Sequence, residues 1–402
     1  MAPASKDTRH TLAASDLQAA QGAQDAACGS RLTIDTGAIA ANWQTLRERV
    51  GSAVVCAATV KSDAYGCGLA PSVRALASAG CSTFFVALPQ EGATVRREVP
   101  GAAIYVLNGL LPGAAGQYAE AMLRPVLGSL AEVEEWAVFC RSRKVPLDAA
   151  LHVDTGMNRL GVTVEEARRI AADPAMLATF RLSLVMSHLA CGATPKDPFN
   201  REQLARLKSL DGLFPGVPRS MANSAGVFLG SDYHLDLVRP GIALYGGEIL
   251  EGEPSRLRPA VKLEARILQV RHVPAGAGVG YGRAQVTSRP TRIAIVATGY
   301  GDGYHRRAGS SDVRPGATAW LSGHAVPLFG RISMDLIAVD VTDVPQDLAR
   351  RGAYVQLYGP DIDMTQVASA AETIDYELLT GLGRRSLRVY GPLSGPAVQG
   401  DR

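Results

Sequence analysis

An apolar run, Val54-Val55-Cys56-Ala57-Ala58-Thr59-Val60, leads straight to Lys61. Ser62-Asp63-Ala64-Tyr65-Gly66-Cys67-Gly68 follows, a glycine-containing turn into a helical pattern that places backbone amides and a phenol beside the amine. A partly desolvated lysine of this kind can form a Schiff base with a carbonyl compound, provided something anchors that compound. Read alone, the same lysine is an edge residue with its stem on apolar surface and its charge in water. Ser224 supplies a candidate anchor. It follows a strand-like stretch (220–223) and opens a helical one, so its hydroxyl and the nearby amides meet the positive end of a helix dipole, where anions bind. Read alone it is an N-cap. Arg239, in Val238-Arg239-Pro240-Gly241, carries a guanidinium that cannot surrender its proton. Arg159, in Asp154-Thr155-Gly156-Met157-Asn158-Arg159-Leu160-Gly161, offers a planar fork suited to a carboxylate or phenolate. His188 closes a strand-like run and would otherwise be a satisfied core histidine. Tyr281 stands between glycines in Gly280-Tyr281-Gly282, where the plain alternative is an aromatic anchor at a domain interface.

These residues need elements to position them. From Arg31 to about Pro259, short apolar runs alternate with helical patterns, the signature of parallel βα units. Eight strands are expected, at 53–61, 83–88, 104–107, 124–127, 147–154, 182–188, 220–223 and 235–245. Ser129 with Glu132, and Thr163 with Glu166, fit the capping box that opens a helix. Eight such units predict an α/β chain whose first domain is a (β/α)8 TIM-type barrel. Active sites of such barrels form where the strands end, and those ends carry Lys61, Asp154, His188, Asn223 and Arg239. From Val261 the texture changes to short strand-like runs (265–270, 291–298, 336–341) between Gly and Pro turns, predicting a mostly β C-terminal domain. The expected organisation is a flexible tail over 1–29, a barrel over 30–259 and a β domain over 260–402.

Composition agrees with two globular domains: 402 residues, 47% hydrophobic and 20% charged. A formal net charge of +3 with interspersed signs leaves no footprint for nucleic acid, so a small-molecule substrate is expected. The six cysteines form no Cys-x-x-Cys pair, which argues against a zinc site and a disulfide scaffold and for a reducing, cytoplasmic setting. No apolar stretch of roughly 18 residues predicts a membrane span.

The segment Ala58-Thr59-Val60-Lys61-Ser62-Asp63-Ala64-Tyr65-Gly66 closely resembles the cofactor-lysine motif of the alanine racemases. The resemblance recurs in order at 154–161, 187–188, 222–224, 238–246, 280–282, 299–304, 331–335 and 373–377, and spans about 31–391. It implies a pyridoxal-phosphate enzyme interconverting L- and D-alanine by a two-base mechanism, supplying D-alanine for peptidoglycan. Lys61 would hold the cofactor and act on the D face, and Tyr281 would act on the L face. A phenol is a weak base at neutral pH, so a neighbour or the cofactor must help it. Tyr65, Asn223, Ser224, Tyr376 and the backbone of Gly241 and Ile242 would hold the cofactor, chiefly at its phosphate. His188 would pack on its ring, and Arg239 would donate to the pyridine nitrogen and leave it unprotonated. Arg159, Tyr300, Met334 (through its amide) and Asp335 would bind substrate or line the entrance. The family further implies a homodimer with shared active sites.

Departures from the pattern are specific. Many alanine racemases place a carbamylated lysine two residues before the Asp-Thr-Gly-Met segment, orienting the arginine; here His152 stands there and cannot form that carbamate. A bound anion or water would have to hold Arg159 instead. Cys67 stands where histidine is frequent and Ser333 where cysteine is frequent. Barrel-type decarboxylases with the same cofactor use an acidic group at the pyridine nitrogen, which Arg239 contradicts. Single-barrel cofactor carriers lack the residues after Pro259. Racemases of serine or of a broader amino-acid range differ only in a few entrance side chains.

Overall fold

The computed structural model describes residues 27–393. The expected tail, 1–29, lies outside the described residues but for its last three. Two compact units are present. One combines Ile34–Lys262 with Gly359–Leu382 and residues 390–393; the other combines the described residues through Thr33 with Leu263–Tyr358 and Gly383–Val389.

Strand β1 (Ser30–Ile34) belongs to the second unit's sheet. The first unit is a ring of parallel strands: β2 (Val55–Cys56), β3 (Ala58–Thr59), β4 (Thr83–Val86), β5 (Ala103–Val106), β6 (Arg124–Leu127), β7 (Asp148–His152), β8 (Arg181–Met186), β9 (Arg219–Ser220) and β10 (Leu237–Val238). β2 and β3 are two halves of one strand, parted at Ala57. The first half pairs with β10 (Leu237 opposite Val55) and the second with β4 (Ala58 opposite Phe84). Ala57 N donates to Val238 O at 3.0 Å and Val60 N to Phe85 O at 2.9 Å, so the split strand closes the ring. Strands covered on both faces read as unbroken apolar runs, which is why they are visible in the sequence. Inside, Ala57, Phe85, Tyr105, Val126, Ala150, Leu184, Met186 and Leu237 fill the barrel. Phe85 and Tyr105 stack at 4.9 Å between centroids. Truncating a buried Phe such as Phe85 to Ala would cost about 3–5 kcal/mol, mostly through the cavity left behind.

The eighth expected strand is shorter than its sequence suggests. Regular strand covers only Leu237–Val238; Arg239 N still donates to Ala222 O and Pro240 O still accepts from Thr59 N, but Pro240 has no amide to donate to a ladder, and the apolar residues beyond it form a 3-10 turn, Ile242–Tyr245. The first helix, Thr36–Val50, is capped by Asp35 (Oδ1 accepting from Ala38 N, 2.8 Å) and buries Ile39, Trp43, Leu46 and Val50 at helical spacing. Thr163 and Glu166 make the full reciprocal box. Ser129 accepts from Glu132 N, but the Glu132 carboxylate passes over Ser129 to the amides of Gly128 (2.8 Å) and Leu110.

The second unit is built on β11 (Val261–Val273), which pairs with β18, β1 and β14 and carries irregularities at 263/264 in the β18 pairing and at 267/269 in the β14 pairing. β12 (Gly278–Val279) and β13 (Gln285–Val286) form a small hairpin, followed by β14 (Thr291–Val296), β15 (Thr318–Leu321), β16 (His324–Pro327), β17 (Ile337–Asp340), β18 (Tyr354–Tyr358) and β19 (Leu387–Tyr390). The main sheet runs β16-β15-β18-β11-β1-β19, with β14 on β11 and β17 on β14. Side by side in it, β1 and β19 are joined by Ser30 and Ser386, whose hydroxyls meet at 2.8 Å although 356 residues separate them. Among the described residues no helix is long and apolar enough to cross a membrane.

Candidate active site

Lys61 follows β3 and begins a short turn rather than ending a regular strand. Ser62, Asp63, Ala64 and Tyr65 all have φ of 53–55°, a left-handed turn of four non-glycine residues. Each such residue costs roughly 1–2 kcal/mol, so neighbours must hold the turn. Glu91 accepts from Ser62 N (2.6 Å), Asp63 Oδ1 accepts from Leu69 N (2.7 Å), and Ala64 N returns to Val60 O (2.9 Å). The turn carries the Tyr65 ring onto Tyr245, 4.8 Å between centroids, with its hydroxyl over the bare backbone of Gly241. A Cβ at Gly241 would lie 2.2 Å from that hydroxyl, so only glycine fits.

Ser224 does not cap a long helix. A single 3-10 turn, Ala225–Val227, follows it and leaves little dipole. Its hydroxyl instead gathers the amides of Gly241 (2.8 Å) and Ala243 (3.2 Å) from the 3-10 turn after β10. The result is a knot of backbone N–H groups and hydroxyls suited to an anion, reached by a different route from the one the sequence suggested.

Arg239 is buried at the end of β10. Its Nη2 donates to Ser187 O at 2.6 Å, its Nη1 to Ser220 Oγ, and its guanidinium lies 5.8 Å from the Phe85 ring centroid. Among the described residues no carboxylate pairs with it, and desolvation pulls its pKa down to about 9. His188 Nδ1 lies 3.4 Å from Arg239 Nη2. Burial first, then the Arg239 and Arg159 charges, keep His188 far below its ordinary value. His152, at the end of β7, is lowered to about 4 by burial and by Arg239, so it is a neutral imidazole at pH 7. Burial and then Arg159 lower Lys61, against an opposing pull from Glu91. Tyr65 is raised by burial and Tyr376; Tyr376 is raised to about 12 by burial and Asp375. Both phenols are therefore neutral hydrogen-bond donors.

These groups surround one cavity of about 450 Å³ at the strand ends. Lys61, Tyr65, Arg159, His188, Asn223, Ser224, Arg239, Gly241, Ile242 and Tyr376 all line it, and Tyr376 arrives on the helix Asp375–Thr380, which belongs to the barrel unit. Volume alone does not single it out, since cavities of about 480 and 460 Å³ open elsewhere on the unit. Composition does: three cationic side chains, Lys61, Arg159 and Arg239, and no carboxylate line the wall. A family model described as "Alanine racemase, N-terminal domain" matches residues 34–249, and one described as "Alanine racemase, C-terminal domain" matches 260–390. The chain belongs to the alanine racemase family. A relative named "Alanine racemase" from Methylobacterium sp. (strain 4-46) is 49% identical over 362 residues, covering 90% of this chain and 98% of its own. One named "Alanine racemase, biosynthetic" from Agrobacterium fabrum is 45% identical over 366 residues, 90% of this chain and 93% of its own. The solved alanine racemase of Bartonella henselae, described with covalently bound pyridoxal phosphate, superposes with a TM-score of 0.85 at 38% identity, covering 90% of this chain and 99% of that one.

The remaining candidates lie in the second unit. Tyr281 begins the 3-10 turn Tyr281–Arg283 between Gly280 (φ 68°) and Gly282 (φ 71°), and is 71% exposed. Tyr300 and Met334 belong to adjoining loops, with Tyr300 N donating to Ser333 O (3.1 Å) and Gly301 N to Met334 O (2.8 Å). Asp335 pairs with Arg385 at 2.8 Å. Sequence reasoning missed Asn108, which lines the barrel cavity just after β5, because the expected strand stopped at Leu107. Glu91, which holds the Lys61 turn, carried no legible signal; its role depends on a helix that meets the turn only in three dimensions.

Proposed function

We propose that this chain is a pyridoxal-phosphate-dependent alanine racemase acting as a homodimer in the cytoplasm, with D-alanine for peptidoglycan as its product. The observation that carries the reading is the carboxylate-free, three-cation wall of the barrel cavity, with a hydroxyl and amide knot at one end and a desolvated lysine in it. That donor set fits the cofactor's charge distribution. The Ser224 hydroxyl, the amides of Gly241 and Ile242, and the phenols of Tyr65 and Tyr376 would hold its phosphate, with Asn223 beside them. Arg239 would donate to the pyridine nitrogen, and His188, neutral in its buried setting, would pack against the ring. Covalently bound to Lys61, the cofactor would supply an electron sink that acidifies the α-proton of alanine.

Because the Arg239 guanidinium keeps its own proton, it donates a hydrogen bond without protonating the nitrogen, which moderates that sink. A moderated sink favours proton removal and return over rearrangement. Racemisation needs a base on each face of Cα. The Lys61 amine, its proton affinity lowered by burial and Arg159, exchanges the proton on the D face. The Tyr281 phenol exchanges it on the L face, and we assign it to the partner subunit, whose β domain would lie over this barrel. Arg159, Tyr300, the Met334 amide and Asp335 would orient the substrate carboxylate and line its approach. The barrel expected over 30–259 would act as the cofactor domain, joined by Gly359–Leu382, which carries Tyr376, and the Leu263–Tyr358 part of the expected 260–402 domain would act as the covering domain. Borohydride reduction of the loaded protein followed by peptide mapping should label the Lys61 peptide; label on another lysine would overturn the assignment. A chiral assay over a panel of L-amino acids should show alanine turned over fastest, and a faster turnover of serine would replace the substrate named here.

A further inference from the structure

At the opposite end of the barrel, where the strands begin, a cleft of about 460 Å³ opens around the starts of β5, β6, β7 and β8. Three guanidiniums line it, those of Arg96, Arg124 and Arg181, against one carboxylate, Asp148. Asp148 is shared: its Oδ2 meets Arg124 at 2.7 Å and its Oδ1 meets Arg181 Nε at 2.6 Å. Arg96 is engaged by neutral groups only, the carbonyls of Pro100, Ala102, Ala121 and Met122, so its charge stays uncancelled. Formal charge across the cleft is therefore three minus one, a surplus of two. Burial and then Arg124 lower the Arg96 pKa, as expected of cations crowded in one cleft. Arg181 spends only Nε on Asp148, and among the described residues its two terminal nitrogens have no partner. Its side chain is 64% exposed, ready to meet a ligand.

Apolar residues share the lining with these charges: Leu123, Leu147, Pro100 and Met122. Met122 is held at φ 50°, in the left-handed region, with 61% of its surface exposed. A non-glycine residue in that region is unfavourable, and here it presents an exposed apolar side chain to the cleft.

We propose that this cleft is a second ligand site, taking a small organic anion with a carboxylate head on the Arg181 and Arg124 guanidiniums and a short apolar body against Met122 and Leu147. Planar guanidiniums match a carboxylate in paired geometry, and a mostly apolar cleft with a few fixed polar groups is the usual form of a small-ligand site. The site is independent of the catalytic reading, since none of these residues lines the Lys61 cavity.

Calorimetric titration of the cofactor-loaded protein, with saturating alanine to occupy the catalytic cavity, tests it with hexanoate as probe. Hexanoate should bind with a Kd of about 1 mM or tighter. Arg181→Glu should weaken it at least tenfold, and Met122→Asp, which places a carboxylate among the apolar lining at a position aspartate tolerates, should do the same. Hexylamine should not bind, and inorganic phosphate, which lacks the apolar body, should bind at least tenfold more weakly than hexanoate. Both variants should keep alanine turnover within about twofold, which excludes misfolding as the cause. Undetectable hexanoate binding, binding that survives both substitutions, or phosphate binding equal to hexanoate would overturn the proposal.

Discussion

The barrel mouth and the second unit's candidates differ in how finished they are. Around Lys61 the functional groups are buried and mutually adjusted: Arg239 lies among carbonyls, two imidazoles are held neutral, and four left-handed residues are tied down by Glu91 and Asp63. In the second unit Tyr281, Met334 and Tyr300 are 71%, 54% and 41% exposed. One region is preorganised by its own unit; the other presents side chains that its unit does not cover. The contrast teaches that the two proposed bases would be prepared by different means, and it agrees with the second copy of the chain in the proposed mechanism.

The sharpest way to break this contrast is to remove each proposed base. Lys61→Ala should lower racemisation by about 10⁴-fold and abolish cofactor retention, whereas Tyr281→Phe should lower it by about 10²–10⁴-fold with full cofactor content. Visible absorbance after desalting and a chiral assay decide; cofactor loss in Tyr281→Phe would erase the distinction. Mixing the two inactive variants should restore activity if sites are shared between subunits. Free exchange makes about half of the dimers mixed, each with one intact site, so recovery should approach about a quarter of wild type.

A smaller effect is expected at the anion knot. Ser224→Ala removes a donor to a charged group, worth about 1.5–3 kcal/mol, so apoprotein affinity for pyridoxal phosphate should fall about 10–100-fold. Tyr300→Phe, in the other region, should leave that affinity unchanged. Equal losses in a fluorescence titration would mean that the two regions are not distinct in cofactor binding.

The smallest effect concerns pH. His152 has a folded value of about 4 against 6.5 for a free imidazole. Its contribution is complete above pH 6.5. As pH falls toward 4 the unfolded chain takes up a proton that the folded chain refuses, so stability drops. Urea denaturation of His152→Gln should therefore show about 2 kcal/mol less destabilisation than wild type between pH 7 and pH 5. Identical acid limbs would place the imidazole in solvent. Activity should also be indifferent to bicarbonate, because an imidazole forms no stable carbamate.

Legibility in the sequence followed burial. The parallel strands were visible as apolar runs, and the strand-end rule pointed to Lys61, Asp154, His188, Asn223 and Arg239; all but Asp154 line the cavity, while the Asp154 carboxylate accepts from the amides of Gly156, Met157 and Asn158 in its own loop. What misled was local continuity. The apolar residues after Pro240 prolonged the eighth strand on paper, while a missing amide ended it in space. Ser224 looked like a helix cap because its neighbours are helical in pattern, yet its partners are amides 17 and 19 residues away. The left-handed turn after Lys61 was illegible, since nothing in Ser62-Asp63-Ala64-Tyr65 favours positive φ except the contacts that enforce it. Tyr281, Tyr300, Met334 and Asp335 were reached through resemblance alone; their periodicity marks only a β-rich unit.

The place of β1 in the second sheet bears on how the chain is made. Leu32 and Ile34 are fully buried there, between β11 and β19. Neither neighbour exists when β1 leaves the ribosome: β11 starts at Val261, and β19 follows more than a hundred residues later. β1 therefore waits, with Leu32 and Ile34 uncovered and both edges open, while the barrel strands are synthesised. Such a segment invites pairing with another nascent chain, so the yield of native protein during rapid expression should be limited by this strand rather than by the barrel.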